Sequence, residues 1–164
     1  MKLKMFFLLL STILILTACK DNTIPIIPNI DSDYFTCIIE GEHYKNFTIT
    51  IDSVPQFCAY NYKLNYTKCL FNLRQKNTAS IEFYGNSYGK YPISETDSNK
   101  IKINFIQNKQ LLEIKLGQII ISNYGNESEY IEGIFSGTGI LIDDSLKEEF
   151  VSVTNGRFKV LRNF

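Results

Sequence analysis

A single histidine, His43, and three cysteines, Cys37, Cys58 and Cys69, carry most of the intrinsic reactivity in the body of this 164-residue chain. Histidine exchanges protons near neutral pH and a thiolate is a strong nucleophile, so a Cys37–His43 pair is the first chemistry to weigh. Cys37 alternates with Phe35 and Ile39, which turns it toward a core, and no third group marks an orienter for the imidazole. It therefore reads as a buried free thiol. A zinc site would have to draw His43 and scattered cysteines together by tertiary structure alone, since no metal-ligand spacing is present. Glu40 and Glu42 beside His43 read as solvated loop charges, and Glu127, Glu129 and Glu132 define no cleft separation for glycoside cleavage. Asp143-Asp144 and Glu148-Glu149 lack the calcium-loop pattern. The chain is expected to have no catalytic constellation, no metal and no cofactor, and to be no enzyme.

Three residue groups remain as candidates for structure or binding. Cys58 and Cys69 can face each other across a hairpin, and closing that short loop would stabilise by about 2–3 kcal/mol. Equally, both can be small core residues that never bond. Gly133-Ile134-Phe135-Ser136-Gly137-Thr138-Gly139 has neither the spacing nor the following helix of a phosphate loop, so its glycines fit a strand with a bulge, a bend or close packing. Tyr60, Tyr62 and Tyr66, with Tyr84, Tyr88 and Tyr91 further on, could gather into a stacking surface for a ligand, although tyrosine also suits strands for packing alone.

The elements that would hold these residues are strands. Phe35, Cys37 and Ile39 alternate with polar-leaning neighbours, as do Phe47, Ile49 and Ile51; Ala79, Ile81 and Phe83; Ile101, Ile103 and Phe105; and Leu112, Ile114 and Leu116. Each set predicts one wall of a core. Only residues 145–150 could make a short helix. Asn155-Gly156 is the dipeptide of a type I′ turn, predicting a C-terminal hairpin in which Val153 faces Phe158 and Val151 faces Val160. The expected fold is all-β, a single antiparallel β-sandwich or small β-barrel with that hairpin, over residues 34–164. The loops 94–100 and 123–129 are polar and suit solvent or partner contact.

Ahead of this domain, Met1-Lys2-Leu3-Lys4 precedes an apolar run from Met5 to Leu16, the layout of a secretory signal peptide over residues 1–18. Twelve such residues are too few to span about 30 Å of hydrocarbon. Leu16-Thr17-Ala18-Cys19 at its end resembles a bacterial lipobox, which implies cleavage before Cys19 and acylation of that cysteine. Several acyl chains, at about 0.8 kcal/mol per buried CH₂, would fix the chain to a membrane. Lys20-Asp21-Asn22 resembles the lysine-plus-acid signal that sends lipoproteins of the Bacteroidota to the outer face of the outer membrane, with Asn22 in place of a second acid. Residues 19–33, with Pro25 and Pro28, read as a tether.

Gly133-Ile134-Phe135-Ser136-Gly137 with Thr154-Asn155-Gly156-Arg157-Phe158 further resembles uncharacterised outer-membrane lipoproteins of the Bacteroidota, and the strand from Tyr34 to Gly41 followed by His43-Tyr44 does so weakly. That resemblance implies a compact all-β domain and an envelope address, with no assigned activity. Asp52-Ser53-Val54 and Asp144-Ser145-Leu146 resemble the acceptor for O-glycosylation in that group, and Asn46, Asn65 and Asn126 head N-linked patterns that bacterial lipoproteins seldom use. Loss of Lys2 and Lys4 with the signal leaves 15 basic residues against 17 acidic ones. With no basic stripe, nucleic acid is excluded as a partner. The expectation is a membrane-anchored lipoprotein of the outer membrane, with display at the cell surface as what Lys20-Asp21-Asn22 implies, serving as a binding or interaction module for an envelope protein or glycan. The alternatives are a lipocalin-like barrel holding a small ligand or glycan, and an envelope hydrolase whose site is assembled only in three dimensions.

Overall fold

A computed structural model describes residues 33–51 and 56–163. The expected signal peptide over residues 1–18, the lipobox-like Cys19 and the expected tether up to residue 33 lie outside the described residues, save Asp33, as does the acceptor-like Asp52-Ser53-Val54.

Alternating apolar residues produce ten strands: β1 (Tyr34–Glu40), β2 (Phe47–Thr50), β3 (Phe57–Asn61), β4 (Tyr66–Asn72), β5 (Thr78–Tyr84), β6 (Gly89–Ile93), β7 (Lys100–Phe105), β8 (Gln110–Tyr124), β9 (Tyr130–Ile142) and β10 (Glu148–Leu161). A 3-10 turn, Arg74–Lys76, precedes β5. All ten belong to one antiparallel sheet in the order β2-β1-β10-β9-β8-β7-β5-β4-β3, with β6 paired to β8 off that path. The fold is all-β, as the period of two predicts, and the sheet curls into a half-barrel. Isolated bridges from Ile51 to Leu73 and from Cys58 to Arg162 draw strand ends together across the curl.

The concave face is packed solid with aromatic rings. Phe35 meets Phe71 at 4.9 Å and Phe135 at 5.3 Å between centroids, and Phe158 lies 6.0 Å from Phe71. Phe35, Phe71, Phe83 and Phe158 are fully buried with Ile81, Ile101, Ile103 and Leu112. Each such side chain contributes about 1.5–3 kcal/mol by leaving water.

Several expected details are corrected. The chain does end in a hairpin, β9 to β10, but its turn is residues 143–147, where Asp143 accepts the backbone N–H groups of Ser145 and Lys147. Residues 145–150, where a short helix was expected, instead end that turn and begin β10. Asn155-Gly156 lies inside β10 as a bulge: three residue steps from Val153 to Gly156 oppose two steps from Gly137 to Phe135 on β9. The β1 side shifts likewise, with Thr154 opposite Ile38 and Arg157 opposite Thr36. Asn155 takes the positive φ, 52°, which asparagine tolerates. Gly156 does not, and is needed for room: a Cβ there would stand 2.5 Å from the Phe135 ring. In β8 a second register shift between Ile114 and Leu116 leaves Leu116 64% exposed instead of walling the core, and the inward positions resume at Ile119 and Ile121. At the margin of the core, Phe47 is exposed and Ile51 half-buried. In the glycine-rich stretch, Gly139 lets the Glu113 carbonyl approach, since a Cβ would sit 2.5 Å from that oxygen.

The bulge makes a register prediction. Cysteines at Ile38→Cys and Thr154→Cys should crosslink on oxidation, whereas Thr154→Cys with Arg157→Cys should not, because the latter pair lies along one strand. Non-reducing peptide mapping reads this, and the reverse outcome would restore the turn. Gly156→Ala should lower stability by about 1–3 kcal/mol through overpacking, measured by urea unfolding.

Candidate functional site

The turn 41–46 between β1 and β2 places His43 against the start of β10. Gly41 N–H donates to the Tyr44 carbonyl at 2.7 Å, and the Tyr44 ring is held against Phe47 and Phe105. Glu149 accepts the His43 backbone N–H at 3.0 Å and its other oxygen lies 2.7 Å from His43 Nδ1. Burial alone would raise the Glu149 carboxyl, yet the backbone N–H and ring of His43 outweigh it and hold the group below the usual carboxylate range. Beside the pair is a depression of about 200 Å³ lined also by Glu42, Gln110, Asp143, Lys147 and Glu148. Its described lining residues include no hydroxyl or thiol nucleophile. Cys37 is buried within the core, where burial pushes its thiol up to about 12, so it is inert at neutral pH. Glu40 is exposed at the end of β1. Among the described residues no three His, Cys, Asp or Glu side chains gather to hold a metal.

Cys58 and Cys69 stand directly opposite each other in the β3–β4 register and are joined by a disulfide, with Cα atoms 4.0 Å apart. Both are fully buried, so the bond pins the outermost strand β3 from inside.

The six tyrosines divide into supports and exposed rings at one end of the sheet. Tyr60 donates its hydroxyl to Asn65 at 3.0 Å, and the Arg162 guanidinium covers its ring and that of Tyr124 at 5.6 and 5.3 Å. Tyr66 packs on Tyr84, its partner in the β4–β5 register, at 5.1 Å. Tyr91 packs on Phe83 and donates its hydroxyl to Ser87 O at 2.8 Å. Between the two loops Thr67, buried, donates to Gly85 O at 2.6 Å, so the Tyr124 hydroxyl 2.8 Å away donates to Thr67 Oγ1. On this base Tyr62 is 75% exposed, Tyr84 49% and Tyr88 78%. Of the three residues expected to form a ligand surface, Tyr62 presents its ring to solvent while Tyr60 and Tyr66 are half-buried.

A larger feature has no local sequence signal. The β7 ladder on β8 ends at Glu113 and the β6 ladder begins at Gly117, so the sheet forks along one edge of β8. Asn99, buried in the fork, accepts the Tyr84 N–H at 3.0 Å and donates to Pro92 O at 2.7 Å, tying β5 to β6. Over the fork lies an open depression of about 430 Å³, lined by Glu95, Asp97, Lys100, Lys115, Thr138 and Phe150 among others. Of the predicted polar loops, residues 94–99 form one wall. The other, around residues 125–129, is pinned by Arg162, which donates to Gly125 O at 3.0 Å.

Comparison with known family models, curated proteins and solved structures finds no match to this chain. Among the described residues no helix is long and apolar enough to cross a membrane.

Because the folded carboxyl of Glu149 is depressed, its contribution to stability is present above the unfolded value, about 4.3, and is lost as pH falls through the folded one. Glu149→Gln should therefore flatten the decline in unfolding free energy between pH 7 and pH 3. An unchanged decline in urea titrations would mean the pair with His43 carries no linkage.

Proposed function

We propose that this protein is a lipid-anchored envelope lipoprotein whose all-β domain is a binding module, with the tyrosine-rich end as its recognition surface. The observation that carries this reading is that Tyr62 between β3 and β4, Tyr84 at the end of β5 and Tyr88 just after it are all exposed at the same end of the sheet, where Tyr66 packs on Tyr84 and Phe83 on Tyr91. Exposed rings on a rigid support bury a large area at small entropic cost when a partner docks. The lipobox-like Leu16-Thr17-Ala18-Cys19 supplies the anchor in this reading, and Lys20-Asp21-Asn22 supplies the address at the outer membrane. The tether would let the module reach a partner, an envelope protein or glycan, without leaving the membrane.

A second reading, an envelope hydrolase, is favoured by one observation: His43 and Glu149 open beside a depression that also holds Glu42, Asp143 and Glu148. In that reading His43 would act as a general base on water, oriented by Glu149. Binding is preferred because three large rings stand exposed at that end, and covering them favours docking.

Two experiments test the proposal. Cys19→Ala should leave an unprocessed precursor that takes up no labelled fatty acid, and efficient labelling of that variant would sink the anchor. Tyr62→Ala with Tyr88→Ala should cut retention of envelope glycan or protein by the full chain at least tenfold without changing its melting temperature; retention at the parent level would remove the tyrosine end as the recognition surface. For the hydrolase reading, turnover of ester and glycoside substrates abolished by His43→Ala is the expected result, and turnover that survives it argues against this site.

A further inference from the structure

We infer that the depression over the fork of β8 is a binding subsite for a neutral, hydroxyl-rich ligand, an oligosaccharide segment. The inference rests on reading the domain as a binding module and names a ligand class and a second place where it binds.

The lining excludes the other common ligand classes. Lys100 and Lys115 face Glu95, Asp97 and Glu113, so the charges nearly cancel and neither an anion nor a cation finds a net attraction. Charged walls likewise penalise a fully apolar ligand, which would desolvate them without hydrogen bonds in return. One ring does stand free: Phe150, at the rim, is 80% exposed and opposes Ile140 in the β9–β10 register. A sugar satisfies both conditions, since its C–H face covers a ring while vicinal hydroxyls donate to a carboxylate and accept from a lysine.

The polar groups are already arranged for that exchange. Glu113 holds Lys115 at 2.7 Å and Lys102 at 3.6 Å, and Glu82 holds Lys68 at 2.9 Å with Lys100 across the next strand. Burial would raise the carboxyls of Glu82 and Glu113, yet their hydrogen bonds and lysines prevail and hold both below the usual carboxylate range. Asn99 fixes the width of the fork from beneath.

Beyond Lys100, the last residue of the depression on that side, a chain of contacts leads across the outer face to the tyrosines. Lys100 pairs in register with Glu82, which bonds the hydroxyl of Tyr66, and Tyr66 packs on Tyr84. From β5 to β10 the outer face spans four strand spacings, about 19 Å, enough for a short oligosaccharide rather than one ring. Aromatic rings stand at opposite corners of this face, Phe150 on β10 and Tyr84 on β5, four residues along the strand from Ser80, which ends the register row of Phe150, and the region between them is polar and concave.

The test is isothermal titration of the full acylated chain, in detergent micelles, with neutral tetrasaccharides of glucose, mannose and N-acetylglucosamine, and with a polyanionic glycan as control. The expected result is saturable binding of at least one neutral tetrasaccharide, little changed between low and high salt. Phe150→Ala and, separately, Thr138→Gln, which fills the depression, should each weaken it at least tenfold. Phe150 and Thr138 are both exposed, so neither variant should disturb the fold, and circular dichroism checks this. Binding lost in these two but kept in Tyr62→Ala with Tyr88→Ala supports the subsite and fails the tyrosine end as the main surface. The opposite pattern overturns the subsite and leaves the tyrosine end standing. Failure of every neutral tetrasaccharide, or binding of the polyanion alone with steep salt dependence, overturns the inference.

Discussion

A single sheet has one apolar face and no second layer to cover it, so this domain can bury its core only by curling that sheet upon itself. Everything else follows from how the curl is made. Ten strands meet edge to edge, and the rings of Phe35, Phe71, Phe135 and Phe158 fill the concave side. A regular ladder would twist without closing tightly; bulges add local bend and twist. They occur in the long strands, in β10 at Asn155, where both β1 and β9 run one residue short of it, and twice in β8. At the same places glycine removes the Cβ that a tightly curved backbone would strike, as at Gly156 against Phe135 and Gly139 against Glu113. The disulfide from Cys58 to Cys69 then holds β3, the last strand in the order, to its neighbour.

The fold class was legible because period two needs no long-range information: each strand announces which side is inward. The bulge at Asn155 was misread for an instructive reason. Val151 and Val153 occupy odd positions while Phe158 and Val160 occupy even ones, and the inward set changes parity whether the chain reverses through a two-residue loop or continues past one extra residue. Asn-Gly serves both, because each asks for a residue comfortable at positive φ or lacking a Cβ. Only strand length decides, and length is set by partners on either side: β10 is straddled by β1 and β9 across the bulge. Leu116 failed for the same reason. Its alternation with Leu112 and Ile114 is unbroken in sequence, but the register shift turns it to solvent.

Candidate sites were less legible because they depend on which elements meet. The proximity of Tyr66 and Tyr84 is a cross-strand pairing between β4 and β5, visible in sequence only as two tyrosines 18 positions apart. His43 and Glu149 are separated by 106 positions and meet because β1 lies beside β10. Isolated acids thus read as solvated surface, although Glu149 in fact receives two groups of His43. The fork had no signal of its own: β8 exchanges β7 for β6 partway along its length, and nothing in Glu113-Ile114-Lys115-Leu116-Gly117 requires it.

That exchange of partners is also what gives the outer face its shape. An unbroken antiparallel sheet presents a smooth pleated surface, on which a ligand keeps most of its hydration and gains little. Divergence of two strands from a third opens a concavity without any loop having to form it. Such an opening is a weakness unless something spans it, since exposed ladder groups invite either water or collapse. Asn99 spans it, accepting from Tyr84 on one side and donating to Pro92 on the other, and its burial leaves that amide few alternatives. The walls of the proposed subsite are therefore set by the fold itself, and a ligand docking there would have little left to order. Rigid support under an exposed, polar concavity is what separates this face from the merely solvated faces of the same sheet.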